Sequence, residues 1–117
     1  MSSKIICNAR KKHEQWYSLF MNSLMEHGNG QIDEALAITH DDCEFGKWLN
    51  ETGLKQHGSL LEMHELARVH RDLHLHVCNI VGRQGMHLKS RLEFGRLEQS
   101  KDQLTDLLDK LEINAED

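Results

Sequence analysis

Two histidine residues, His70 and His74, interrupt a stripe of leucine and valine along one stretch of the chain. The stripe recurs every three or four residues, which is the spacing of one helix face, and it predicts a helix over residues 60–81. The other members of the stripe are Leu66, Leu73, Val77 and Val81. Because residues four apart lie one turn apart on the same face, both imidazole rings are expected to face the core and can reach one metal ion.

Helical spacing of apolar residues also marks three further segments. The first, residues 5–27, carries His13 on the same stripe as Ala9 and Trp16. A short segment at residues 42–49 begins beside Cys43, and the leucine-rich last segment covers residues 86–111. Residues 32–38 predict either a short helix or an ordered connection, and the polar residues 50–53 are expected to end the cysteine segment.

The composition agrees with a helical protein. The chain has no proline and one tyrosine, and it is rich in leucine, glutamate, lysine and histidine. Its 117 residues suit one domain. We predict an all-α fold, an antiparallel four-helix bundle with a short extra helix carrying the cysteine block, in which residues 1–117 form a single domain.

Charge and cysteine usage exclude several classes of protein. The net charge is −5 with neutral histidines, and no basic cluster suggests binding to nucleic acid. No apolar run approaches the roughly 20 residues of a membrane span, and the N-terminus lacks the apolar segment of a signal peptide. The three cysteines, Cys7, Cys43 and Cys78, do not form a secreted disulfide pattern. We therefore expect a cytoplasmic protein with reduced thiols and no membrane insertion.

Three imidazoles and one thiolate would suit a tetrahedral zinc site. His13 lies on a predicted core stripe, and Cys43 lies at a helix start, where the helix dipole favours the thiolate. Spacing alone is equally compatible with core histidines that hydrogen-bond internally and with a cysteine that acts as a small apolar residue.

Three sequence blocks carry a more specific signal. They are His13-x-x-Trp16, Cys43-x-Phe45-Gly46-x-Trp48 and His70-x-x-x-His74. In this order they resemble the chemoreceptor zinc-binding (CZB) domain family, over about residues 13–81. The resemblance implies that His13, Cys43, His70 and His74 coordinate Zn²⁺. It also implies a four-helix bundle that is often a homodimer, attached to chemoreceptors or diguanylate cyclases. No signature of such an output domain is found, so we expect either a stand-alone domain or a part of a longer protein.

These features predict a zinc-binding sensory or regulatory domain. It would respond to zinc availability, to oxidation of the zinc-bound Cys43, or to both, and relay the change through its dimer or a partner. Four protein ligands leave no open position for substrate, which argues against an enzyme. The alternatives are a structural zinc-stapled interaction module and, less favoured, a zinc-dependent hydrolase, although the chain has no His-Glu-x-x-His motif.

Two carboxylates and the six remaining histidines have different expected environments. Asp42 and Glu14 are candidates to hold a ligand imidazole by hydrogen bonding. The other six histidines are expected to be solvent-exposed, and they are His27, His40, His57, His64, His76 and His87.

Overall fold

The computed structural model describes residues 3–26, 38, 41–82 and 88–113, and all regular secondary structure within these ranges is helical. The all-α prediction is therefore confirmed for this part of the chain. The long helices are α1 (Ser3–Glu26), α4 (Leu61–Gly82) and α5 (Leu88–Ile113). Between α1 and α4 lie two short helices, α2 (Glu44–Trp48) and α3 (Leu54–His57), which are joined by a π-helical turn at Leu49–Gly53. None of these helices is long and apolar enough to cross a lipid bilayer.

Helix α1 follows its predicted stripe. Ala9, His13 and Phe20 are buried, at spacings of four and seven residues that place them on one face. Trp16 is partly buried on the same side. The helix thus presents one histidine and its aromatic neighbours to the interior.

The helical path after Cys43 is longer than predicted, and the expected end at residues 50–53 is wrong. The chain continues through the π-helical turn and α3 to His57. Tertiary packing explains the difference, because Leu49 and Gly53 are buried and a Cβ atom on Gly53 would lie 3.0 Å from Met63 Sδ. The break comes at Gly58, where a Cβ atom would lie 2.4 Å from the carbonyl oxygen of Leu54.

Helices α4 and α5 form the main packing interface of the described residues. The predicted apolar stripe of α4 is buried, including His70 and His74. In α5 the buried apolar residues are Leu97, Leu104, Leu107, Leu108 and Leu111. Leu92 lies on the other side and is largely exposed. Helices α4 and α5 therefore supply the core against which the cysteine block and α1 pack.

A polar group also lies in the α4–α5 interface. Glu93 is buried and accepts hydrogen bonds from His76 and from Asn79 Nδ2, the latter at 3.3 Å. The expectation that His76 is solvent-exposed is therefore wrong, because a carboxylate on the neighbouring helix pairs with it. His64 is exposed as expected, and His57 is half-exposed. His27, His40, His87 and most of the predicted segment at 32–38 lie outside the described residues.

Candidate metal centre

Four buried side chains from three helical elements meet at one point. His13 comes from α1, Cys43 precedes the first turn of α2, and His70 and His74 come from α4. One potential ligand atom from each residue lies within 4.8 Å of the others. Each residue is at most 4% exposed. The structure thus brings together all four residues that the sequence blocks single out.

The three imidazole rings pack against one another at angles suited to a shared centre. The ring centroids lie 4.6 Å apart for His70 and His74, 5.0 Å for His13 and His70, and 5.4 Å for His13 and His74. Adjacent rings are tilted by 59° to 73° rather than stacked. Rings arranged in this way can direct one nitrogen each toward a common ion.

Aromatic side chains enclose this cluster. Trp16 stacks on His74, with ring centroids 4.2 Å apart and planes within 14°. Phe45 lies 4.9 Å from His70 and 5.5 Å from His13. Removing water around a metal site strengthens the electrostatic attraction between the ion and its ligands, so these aromatic walls favour metal binding.

A backbone carbonyl fixes the tautomer of His74. Its Nδ1 lies 2.9 Å from the carbonyl oxygen of Ile38, and because a carbonyl only accepts, Nδ1 carries the proton. The lone pair is then on Nε2, where a metal ion can accept it. Of the two carboxylates expected in this role, Glu14 binds Arg10 at 3.2 Å, and Asp42 is exposed on the wall of a cavity that also reaches His13 and Cys43. Sequence reasoning missed Ile38 because any residue type can offer a carbonyl.

The Nε2 atoms of the three histidines are buried and make no hydrogen bond to the described residues. The ring of His13, whose Nε2 is one of these atoms, lies within 5.4 Å of the rings of His70 and His74. A buried polar atom without a partner costs about 1–3 kcal/mol. A metal ion would satisfy such atoms together, so the donor set fits a cation bound through nitrogen and sulfur.

Burial has opposite effects on the pKa values of His13 and Cys43. Burial, with smaller contributions from His74 and Lys101, lowers the pKa of His13 to about 3, so its ring is neutral and ready to bind. Burial also raises the pKa of the Cys43 thiol, although the backbone amides of Gly46 and Phe45 oppose this. The dipole effect expected at this helix start is thus outweighed by desolvation. A bound cation would supply the charge that favours the thiolate.

A cavity of about 400 Å³ opens beside the cluster and reaches His13 and Cys43. Its walls include Trp16, Leu19 and Ile38. At its rim, Lys12 and Glu44 form an exposed ion pair of 2.6 Å. Although the four residues are buried, this cavity gives a small molecule a path to the cysteine side of the centre.

Cys78 lies near the centre but outside the cluster. It is half-buried, and its Sγ donates to the same Ile38 carbonyl oxygen at 3.7 Å. Burial raises the pKa of its thiol. Cys78 therefore supports the loop residue that orients His74 rather than supplying a fifth ligand.

Comparison with known proteins identifies the family of the chain. The sequence model of the chemoreceptor zinc-binding domain matches residues 13–81, which is more than half of the chain and includes all four clustered residues. Searches of curated proteins and of solved structures returned no match. The chain belongs to the chemoreceptor zinc-binding (CZB) domain family.

Proposed function

We propose that this protein binds one Zn²⁺ ion through His13, Cys43, His70 and His74 and acts as a sensory or regulatory domain. The observation that carries this proposal is the convergence of four buried donor atoms within 4.8 Å. Three imidazoles and one thiolate form a donor set that favours tetrahedral Zn²⁺ over the hard, oxygen-preferring cations. The family to which the chain belongs is named for the same metal.

The proposed coordination argues against an enzymatic role. Four protein ligands complete a tetrahedral sphere and leave no position for a substrate or an activated water. In the described ranges, moreover, no other cluster of three or more histidine, cysteine or acidic residues is arranged to hold a metal ion. We therefore propose a domain that holds or releases its metal rather than one that uses it for hydrolysis.

Two stimuli fit the site. The first is zinc availability, because binding joins α1, the cysteine block and α4. The second is oxidation of Cys43, which the cavity beside it makes accessible. A peroxide would transfer one oxygen to the thiolate, giving a sulfenate and one water, or one alcohol from an alkyl peroxide. The oxidised sulfur is a poorer ligand for Zn²⁺, so this reaction would loosen the site.

The output would be a change in helix packing that a partner or a second copy of the chain can detect. We propose a single domain, an antiparallel four-helix bundle that carries the cysteine block as an extra helix. It would work in the cytoplasm as a homodimer or beside a chemoreceptor or diguanylate cyclase. Sedimentation of the zinc-loaded and metal-free chain tests the dimer, which is contradicted by a monomer in both states.

The central experiment is metal analysis of the purified chain and of the four single alanine variants. We expect about one Zn²⁺ per chain, and each ligand variant should lose at least about tenfold in affinity. His57→Ala, a half-exposed histidine outside the cluster, is the matched control. If Cys43→Ala binds zinc as tightly as the unaltered chain, the proposed site is wrong.

A second measurement separates sensing from a purely structural role. The deep burial of all four residues favours the structural role. Peroxide is added to zinc-loaded protein in the presence of a chromogenic chelator, with Cys78→Ser as the control for the neighbouring thiol. Release of zinc that persists in Cys78→Ser supports a redox sensor. Retention of zinc under both peroxide and zinc limitation indicates a structural staple.

A further inference from the structure

A second cavity, of about 230 Å³, lies on the other side of His70, between α4 and the cysteine block. The clustered residue His70 forms part of its wall, and α4 also contributes three further polar residues, His64, Arg68 and Arg71. These residues are spaced four and three apart, so they share one helix face. Across from them lie Asn50 and the backbone of Gly46, which has no side chain to fill the space.

The charged side chains that line this cavity are both arginines, Arg68 and Arg71. No aspartate or glutamate lines it, although the chain as a whole carries a net charge of −5. Two guanidinium groups and the Asn50 amide offer N–H groups, and a guanidinium alone has five. Leu49 and Ala67 add apolar surface. A lining of this kind selects for negative charge on a small ligand.

The positive charges of Arg68 and Arg71 are only partly neutralised by neighbouring carboxylates. Among the described residues their only ion-pair partner is Asp72, at 3.5 Å from Arg68 and 3.7 Å from Arg71. Well-formed ion pairs have N···O distances of about 2.7–2.9 Å, so both contacts are long. One carboxylate thus serves two guanidiniums, which leaves excess positive charge and unused donors at the cavity.

The opposite wall is held in place by its own contacts. Asn50 donates from Nδ2 to Asp41 Oδ1 at 3.3 Å, and the second hydrogen of this amide group is available to a ligand. His64 donates from Nε2 to the carbonyl oxygen of Gly58 at 2.6 Å, which fixes its ring at the edge of the cavity. The Asn50 amide is therefore positioned before a ligand arrives, which reduces the entropy cost of its contribution to binding.

We propose that this cavity binds a small oxyanion, the phosphate or carboxylate group of a small molecule, through Arg68 and Arg71. A guanidinium fork matches two oxygens of either group, and two forks can hold one anion from both sides. A volume of about 230 Å³ admits a small anion with a short carbon chain. The site is separate from the metal centre in its donors, so either proposal can fail alone.

The test is a nuclear magnetic resonance titration of the ¹⁵N-labelled full chain with phosphate, sulfate and acetate. Sodium chloride at matched ionic strength is the reference. We expect saturable shifts at residues 50, 68 and 71, with a dissociation constant of about 1 mM or tighter. Stronger binding of phosphate and sulfate assigns the site to phosphate groups, and stronger binding of acetate assigns it to carboxylates. Shifts that follow ionic strength whatever the anion would overturn the proposal.

Variants locate the binding. Arg68→Ala and Arg71→Ala should each weaken binding about tenfold, because each removes charge-assisted hydrogen bonds. Both side chains are more than half-exposed, so their loss should leave the fold intact. Arg71→Lys keeps the charge without the fork and should bind with intermediate affinity. Arg96→Ala, exposed on α5, should bind like the unaltered chain, and an equal loss there would show diffuse attraction instead of a site.

The same titration on the metal-free chain separates this site from the metal centre. Arg68 and Arg71 are not among the four clustered residues, so binding should survive metal removal. Anion binding that requires zinc and is unchanged in Arg68→Ala would mean that the anion meets the metal, and it would overturn the proposed cavity site.

Discussion

Without a metal ion, His13 is deprotonated and Cys43 is protonated. His13 is neutral over the physiological range because its pKa is lowered to about 3, whereas burial keeps Cys43 as a thiol in the absence of metal. A zinc ligand must be a neutral imidazole or a thiolate. Of these two residues, Cys43 is the one that has to lose a proton when the metal binds, so it links metal affinity to pH.

We predict that zinc binding at about pH 8 releases close to one proton per ion. The raised pKa of Cys43 lies above this pH, so the metal-free chain holds a proton that the complex does not. Zinc affinity should then rise with pH, by about tenfold per unit below that pKa. Calorimetry in buffers of different ionisation enthalpy measures the proton count. Cys43→Ala should release none, and equal release from both proteins would contradict the assignment.

Trp16 offers a residue-scale test of ring orientation. Its indole stacks on His74 at 4.2 Å and so restricts the plane of that ligand. We predict that Trp16→Leu weakens zinc binding by roughly tenfold, as for other groups that orient metal ligands. Competition with a chromogenic chelator measures the affinity. Trp48→Leu removes an indole that packs on Phe45 instead, so this variant should retain more of the zinc affinity than Trp16→Leu. If Trp48→Leu loses more affinity than Trp16→Leu, the stacking of Trp16 on His74 does not orient the ligand.

Individual site residues were predictable to different degrees. The four clustered residues could be found because the three motifs that carry them resemble those of a known family, whereas their spacing alone is equally compatible with core residues. The Ile38 carbonyl could not, since every residue has one and only the fold brings it to His74. His76 was assigned wrongly for a related reason: its partner Glu93 lies on another helix.

At the scale of helices, local patterns identified the long elements and tertiary packing decided the rest. The predicted segments 60–81 and 5–27 match α4 and α1 to within two residues at each end. The π-helical turn at Leu49–Gly53 has no local signal, because it depends on how Leu49 and Gly53 pack against the rest of the core. A π-helical turn changes the hydrogen-bond pattern of a helix without ending the helix.

Two glycines with opposite surroundings give a paired prediction for helix stability. Gly95 is exposed within α5 and a Cβ atom there would meet nothing within 4 Å, so Gly95→Ala should stabilise the fold by about 0.5–1 kcal/mol. Gly58→Ala should destabilise it by about 1–3 kcal/mol, since its Cβ would clash with the Leu54 carbonyl. Urea denaturation of both variants measures the effect. Shifts of the same sign would contradict the assigned surroundings.

In the molecule as a whole, the cluster is the junction between α1 and the α4–α5 pair. Helices α4 and α5 share the most extensive interface, whereas α1 packs chiefly against α2 and α5. An ion pair of 2.7 Å between Arg10 and Asp109 joins α1 to α5 near one end. Contacts of His13 with His70 and His74 join α1 to α4, and they are contacts between proposed ligands. Metal binding should therefore govern how firmly α1 is held.

We predict that removing zinc selectively loosens α1. The metal-free chain leaves buried nitrogens of the cluster without partners and loses the bond network that spans three elements, while the leucine-rich α4–α5 interface stays intact. Amide hydrogen exchange with and without a chelator measures this, and α1 should lose protection while the central turns of α4 and α5 retain theirs. Cys43→Ala should show the same pattern without a chelator, because it removes one ligand from the centre. A uniform loss of protection in all three long helices would mean that the metal stabilises the entire fold. Unchanged protection of α1 would mean that the site does not couple metal binding to helix packing.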